Sequence, residues 1–111
     1  MLMPLSLALA ASSESNEFAD YEACILRNAA RLERTGEPAE VVADAAVTAC
    51  HEMKRKFVAD YVNDPKRRGY MSIVEAGKLM TDLLNGQGRS ARNTAILLTM
   101  ESRLARQEGA N

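Results

Sequence analysis

The sequence predicts an all-α protein, on three observations. Alanine occupies 18 of the 111 positions, whereas valine, isoleucine, phenylalanine, tyrosine and tryptophan together occupy 14. Alanine is the strongest helix former, and β-branched and aromatic side chains favour strands. Apolar residues also recur three and four positions apart, and helix stop signals separate the segments in which they do so. We therefore expect four helices, arranged as two antiparallel helical hairpins, in one small domain over residues 11–111.

The first predicted hairpin covers about residues 16–62. An apolar stripe that begins at Phe18 marks its first helix, which Thr35-Gly36 ends. Pro38 is expected at the first position of the second helix, where its missing N–H costs nothing. Asn63-Asp64-Pro65 ends that second helix. Because the connection is short, the two helices are expected to be antiparallel neighbours.

The second predicted hairpin covers about residues 72–107. Ser72 and Glu75 have the spacing of a capping box at the start of its first helix. Asn85-Gly86-Gln87-Gly88 is expected to end this helix in a left-handed turn. The last helix then begins at about Ser90, and its apolar face, expected to pack in the core, carries Leu97, Met100 and Leu104.

The two cysteines are predicted to form a disulfide that staples the first hairpin. Cys24 and Cys50 lie at equal distances from the connection at Gly36-Glu37-Pro38, so they sit at the same height on antiparallel helices. Two unrelated buried thiols are the main alternative. A metal site that adds His51 is weaker, because adjacent helical residues point about 100° apart, and the C-x-x-C of redox catalysis is absent.

The first ten residues, 1–10, are interpreted as a signal peptide. They carry no charge and end in Ala8-Leu9-Ala10, the small-x-small pattern that precedes signal cleavage. The basic residues expected at the start of a signal are missing, and an apolar N-terminus of a cytosolic protein is the alternative. The run is too short to cross a bilayer as a helix, so no transmembrane segment is expected. We expect a periplasmic or secreted protein, in which a disulfide would persist.

Charge is distributed unevenly along the chain. Residues 1–50 carry eight acidic and three basic side chains, a net charge of −5, whereas residues 51–111 carry seven acidic and eleven basic ones, a net charge of +4. The two halves could attract each other, or the basic half could meet an acidic partner protein. The basic residues that we considered for such a contact are Lys54, Arg55, Lys56, Lys66, Arg67, Arg68, Arg92, Arg103 and Arg106.

No catalytic motif is present in the sequence, and no cofactor or metal is expected. His51-Glu52 could serve in acid–base chemistry, but such a pair is more often a feature of a helix surface. We expect a non-catalytic protein that acts through an unknown protein partner, with homodimerisation open. The alternative is a cytosolic helix-turn-helix protein that binds nucleic acid with residues 72–107. An acidic pI of about 5.8 and an apolar start to the last helix argue against nucleic acid.

Overall fold

A computed structural model describes residues 16–110 of the chain, and every structural element in that range is helical. The predicted signal segment, residues 1–10, lies outside the described residues. The elements are α1 (Glu17–Leu32), a 3-10 turn (Glu33–Thr35), α2 (Ala39–Ala49), α3 (His51–Val62), α4 (Pro65–Arg68) and α5 (Ile73–Ala110).

Helix α1 runs parallel to the C-terminal half of α5. Near the start of α1, Gln87 donates a 2.7 Å hydrogen bond to the Glu22 carboxylate. Just beyond the end of α1, Arg103 donates to the main-chain carbonyl of Glu33 at 2.8 Å. The contact that comes later in α1 also comes later in α5. Helices α1 and α5 are therefore parallel neighbours.

Helices α2 and α3 run the opposite way along α5. Arg92 contacts Asp44 in α2, and Asn85, earlier in α5, accepts a 2.8 Å hydrogen bond from Lys54 in α3. The described residues thus form an up-down-up bundle, in which α2 and α3 together make the descending segment. The N-terminal part of α5 packs against α3.

Within residues 16–110, the predicted all-α class and the Cys24–Cys50 disulfide are confirmed. Asn16 caps α1 by accepting a hydrogen bond from the Ala19 amide at 3.1 Å. Gly36 ends the following turn with a left-handed φ of 85°, which glycine adopts without steric cost. The Cys24–Cys50 bridge joins α1 to the end of α2 across a Cα separation of 6.1 Å.

The predicted second helix is divided at Cys50, which was not expected. Cys50 adopts φ −101° and ψ 10°, and its amide donates to the Val47 carbonyl, three residues back rather than four. The helical hydrogen-bond pattern resumes with His51. Cys50 is both the junction of α2 with α3 and one end of the disulfide, so the bridge holds the chain at its bend.

The predicted second hairpin is wrong, because residues 85–88 do not form a turn. α5 is one helix of 38 residues that runs through them, although the predicted capping box does form at its start between Ser72 and Glu75. Gly88 is needed for packing rather than for a turn: a Cβ on it would lie 3.2 Å from the hydroxyl oxygen of Tyr21. Glycine and asparagine permit a left-handed turn but do not require one, and the contacts of α5 with the bundle favour the helix.

Replacing Gly86 by alanine is expected to stabilise the protein by about 0.5–1 kcal/mol. Gly86 lies inside α5, and a Cβ there would meet only the end of the Arg89 side chain, at 3.7 Å. A urea-unfolding midpoint measures the effect. Were Gly86 in the left-handed turn that the sequence suggested, alanine would destabilise instead, so the sign of the change tests the continuity of α5.

The core is built largely from small side chains. α5 contributes a buried stripe in which glycine, alanine and threonine outnumber large residues, and this lets three helices approach closely. The larger buried side chains are Met80 and Leu84, both in the N-terminal half of α5, and residues of the facing helices. The buried residues of α5 are Ala76, Met80, Leu84, Gly88, Ala91, Ala95 and Thr99. Those that they meet in the core include Tyr21, Cys24, Ile25, Ala29, Val42, Ala43, Ala46 and Cys50.

Candidate functional site

The side of α5 that faces away from the bundle exposes a row of large apolar side chains. Leu97, Met100 and Leu104 are 60%, 56% and 55% exposed. Leu79 and Leu83 lie on the same side, about four to five turns before Leu97, and are also exposed. We call these five residues the α5 stripe. Exposed apolar residues that line up on one helix face are typical of a surface that binds another protein.

The α5 stripe contains the residues that the sequence predicted to form the core face of the last helix. Leu97, Met100 and Leu104 were expected in the core, and that expectation is wrong: the neighbouring residues Ala95 and Thr99 are buried instead. Small side chains bring the helix axis closer to α1 and α2, so the leucines are left outside. Alanine at helical spacing in the same segment was the signal that could have shown this.

The α5 stripe has the spacing of a coiled-coil seam. Its members fall on alternating intervals of three and four residues, and Gly86, Ser90 and Asn93 fill the seam positions between its two ends. At about 100° per residue, this seam lies roughly opposite the buried stripe of α5. A second helix could therefore pack along it without displacing the bundle.

The two edges of the α5 stripe differ in charge near its C-terminal end. Glu101 and Glu108 follow the seam on one edge, and Arg103 lies on the other. In heptad terms, the acidic residues occupy e positions and Arg103 a g position, counting Leu97 as a and Met100 as d. Such edge charges determine partner choice and helix orientation.

The basic residues considered as partner contacts are mostly engaged within the chain. Arg67 donates to both carboxylate oxygens of Glu17, at 2.6 and 2.9 Å, and lies over the ring of Tyr61 at 5.2 Å. Arg92 donates to Asp44 at 2.5 Å. Both contacts join the basic half of the sequence to its acidic half. The uneven charge therefore supports the fold itself.

Three further members of the predicted set also contact neighbours. Lys54 donates to Asn85, and Arg55 pairs with Glu52 in an exposed contact one helical turn away. Arg68 donates to two main-chain carbonyls on either side of α4. Lys56 and Lys66 are exposed, and their side chains have no hydrogen bond or ion pair to another residue of 16–110. The predicted set is thus not assembled into one basic surface.

The last two basic residues of the predicted set, Arg103 and Arg106, both donate to Glu33 at the end of α1. Arg106 donates to both of its carboxylate oxygens, at 2.5 and 2.7 Å, while Arg103 donates to its carbonyl. The Glu33 side chain is only 9% exposed. The hydrogen bonds from Arg106 hold the pKa of the Glu33 carboxyl below its ordinary value, although partial burial opposes this. The contact ties the end of α1 to the end of α5.

We expect stability to fall with acid because of these paired carboxylates. The hydrogen bond from Arg92 likewise lowers the pKa of Asp44. Since both pKa values are lower in the folded state, the stabilisation is full above the unfolded pKa values, about 4, and is lost as pH falls through the folded ones. Urea midpoints between pH 7 and pH 2 should show this decrease, and the Glu33→Gln/Asp44→Asn variant should show a smaller one. An equal decrease in both proteins would contradict the assignment.

Comparisons with protein-family models, with curated protein sequences and with solved structures return no match for this chain. Within residues 16–110, no helix has both the length and the hydropathy needed to cross a membrane. In the same range, no three histidine, cysteine, aspartate or glutamate side chains are grouped as metal ligands would be.

Proposed function

We propose that this chain is an exported, non-catalytic helical protein that acts through protein–protein contacts in the periplasm or outside the cell, with the α5 stripe as the contact surface. The observation that carries the proposal is the exposure of Leu97, Met100 and Leu104 on a regular seam. Burying such side chains against a partner helix is favourable by roughly 25 cal/mol per Å² of apolar surface.

The disulfide supports the proposed compartment. Cys24 and Cys50 are bonded, and disulfides persist in oxidising compartments and are rare in the cytosol. The interpretation of residues 1–10 as a signal peptide rests on different residues and agrees with it. The helix-turn-helix alternative needs a turn between two helices in residues 72–107, and α5 is continuous there.

The occupant of the α5 stripe that the charges favour is α5 of a second copy, in parallel orientation. In a parallel coiled coil, a g position faces an e position of the other helix, five residues further along. Arg103, which also donates to the Glu33 carbonyl of its own chain, would then lie opposite Glu108 of the second copy, and Glu108 opposite the second copy's Arg103. An antiparallel pair would instead bring the acidic edges that contain Glu101 and Glu108 together.

The molecular mass in solution tests this proposal. Light scattering coupled to size-exclusion chromatography of the oxidised protein should give the mass of a dimer. The Leu97→Lys/Leu104→Lys variant should give a monomer with unchanged helix content. Val41→Lys, at a half-exposed apolar residue on α2, is the matched control and should remain dimeric. A native protein that stays monomeric at every concentration overturns self-association.

The compartment is tested by the intact mass of the protein from its native host, measured without reduction. We expect a chain that lacks residues 1–10 and is two hydrogens lighter than its dithiol form. A full-length chain with both thiols free would contradict export.

A further inference from the structure

We propose that a cleft between α1, α2, α3 and α5 binds a small organic anion that carries a phosphate or carboxylate group next to a short apolar body. The cleft has a volume of about 440 Å³ and is separate from the α5 stripe. Pockets for small molecules have volumes of roughly 300–1,000 Å³, larger than a bare oxyanion needs. The cleft is lined by Tyr21, Asp44, Val47, Thr48, Lys54, Asn85, Gly88, Arg89 and Arg92.

Positive charge exceeds negative charge in this cleft. Lys54, Arg89 and Arg92 line it, against the single carboxylate of Asp44, which Arg92 already neutralises. Asn85 accepts a hydrogen bond from Lys54 and so holds the ammonium group at the wall. The side chain of Arg89 has no hydrogen bond or ion pair to another residue of 16–110. Guanidinium and ammonium groups in such a cleft favour an anionic ligand.

The hydroxyl of Tyr21 is available to a ligand in the same cleft. Tyr21 as a whole is 1% exposed, but its hydroxyl oxygen is not sealed from solvent, and it makes no hydrogen bond to another described residue. It lies against Gly88, where an added Cβ would crowd it at 3.2 Å. A ligand oxygen would accept a hydrogen bond from this hydroxyl, and burial raises the pKa of Tyr21, so the hydroxyl stays a neutral donor.

The apolar residues in the wall of the cleft indicate where the apolar part of the ligand would bind. Val47 and the buried ring of Tyr21 contribute apolar surface, and Gly88 contributes backbone without a side chain. The hydroxyl of Thr48 donates to the Asp44 carbonyl, so it is not free to donate to an anion. The anionic group therefore belongs between Lys54 and Arg89, with the apolar part against Val47.

Titration of the oxidised, ¹⁵N-labelled protein with phenyl phosphate, followed by NMR, tests the proposal. We expect saturable shifts centred on the amides of Gly88 and Arg89. Benzoate should produce shifts at the same amides. Inorganic phosphate should bind more weakly because it lacks the apolar body, and benzyl alcohol should not bind because it lacks the charge. Equal affinity for inorganic phosphate and phenyl phosphate would overturn the role of the apolar wall.

Two variants and one control separate a built site from general charge attraction. Arg89→Gln should weaken binding of phenyl phosphate by about 10-fold, and Tyr21→Phe by about 2- to 10-fold. Lys56→Gln removes an exposed charge outside the cleft and should leave the affinity unchanged. If Lys56→Gln weakens binding as much as Arg89→Gln does, or if the shifts are not centred on the cleft, the proposal is wrong. Arg89 is exposed, so its variant is expected to fold.

Discussion

Replacing Cys24 and Cys50 by alanine is expected to lower the free energy of unfolding by about 3.5 kcal/mol. The bridge closes a loop over a sequence separation of 26 residues, and breaking it frees that loop in the unfolded chain. Small domains have total stabilities of only about 5–15 kcal/mol. The loss should therefore lower the melting temperature by roughly 15–25 °C. Thermal unfolding followed by circular dichroism measures it.

Chemical reduction provides the control for the cysteine variant. A reducing agent should lower the melting temperature of the native protein towards that of Cys24→Ala/Cys50→Ala and should not change the variant. Asn28 donates to the Cys24 carbonyl at 2.9 Å and approaches both sulfur atoms, so Asn28→Ala tests the surroundings of the bridge separately. A loss below about 1 kcal/mol for the double variant would contradict the proposed contribution of the disulfide.

Replacing Leu84 by alanine is expected to cost about 2–5 kcal/mol. Leu84 is completely buried in the core stripe of α5, at the position just before the residues that the sequence assigned to a turn. A cavity there would be lined by tightly packed helices, which relax little. Urea unfolding of the oxidised protein measures the loss.

Leu98 provides a matched control on the same helix. It is 48% exposed and lies outside the α5 stripe, so Leu98→Ala should cost about 1 kcal/mol or less. A similar cost at Leu84 and Leu98 would mean that the buried face of α5 is misassigned.

The first half of the fold was predictable because its signals are local and agree with one another. The Gly36-Glu37-Pro38 connection can end one helix and start another, and the cysteines lie symmetrically about it. The division at Cys50 was not predictable from helix propensity, because no proline or glycine marks it. It is visible only in the backbone of the bundle.

The second half was mispredicted because its glycines have two possible uses. Gly88 fits a turn as well as a helix that another side chain approaches closely, and the deciding contact with Tyr21 is 67 positions away in sequence. Gly86 lies in the same helix without such a contact. Local signals cannot contain that contact. The same packing of small residues determined which face of α5 is exposed.

The candidate sites were predictable to different degrees. The opposite charges of the two halves were visible in the sequence, and attraction between them was one of two stated interpretations. Contacts such as Arg106 with Glu33 support it, but the pairing itself depends on the three-dimensional fold. The cleft beside Tyr21 could not be predicted, because its residues come from four separate helices.

The central proposal is that α5 pairs with α5 of a second copy, and a cross-linking measurement tests it most directly. In a parallel coiled coil, a seam residue lies next to the same residue of the partner helix. The Met100→Cys variant should therefore form a covalent dimer on mild oxidation, seen on a non-reducing gel. Ser102→Cys, on the other side of α5, should remain monomeric on that gel. Absence of a covalent dimer for Met100→Cys, or equal cross-linking of both variants, would contradict parallel pairing along the α5 stripe.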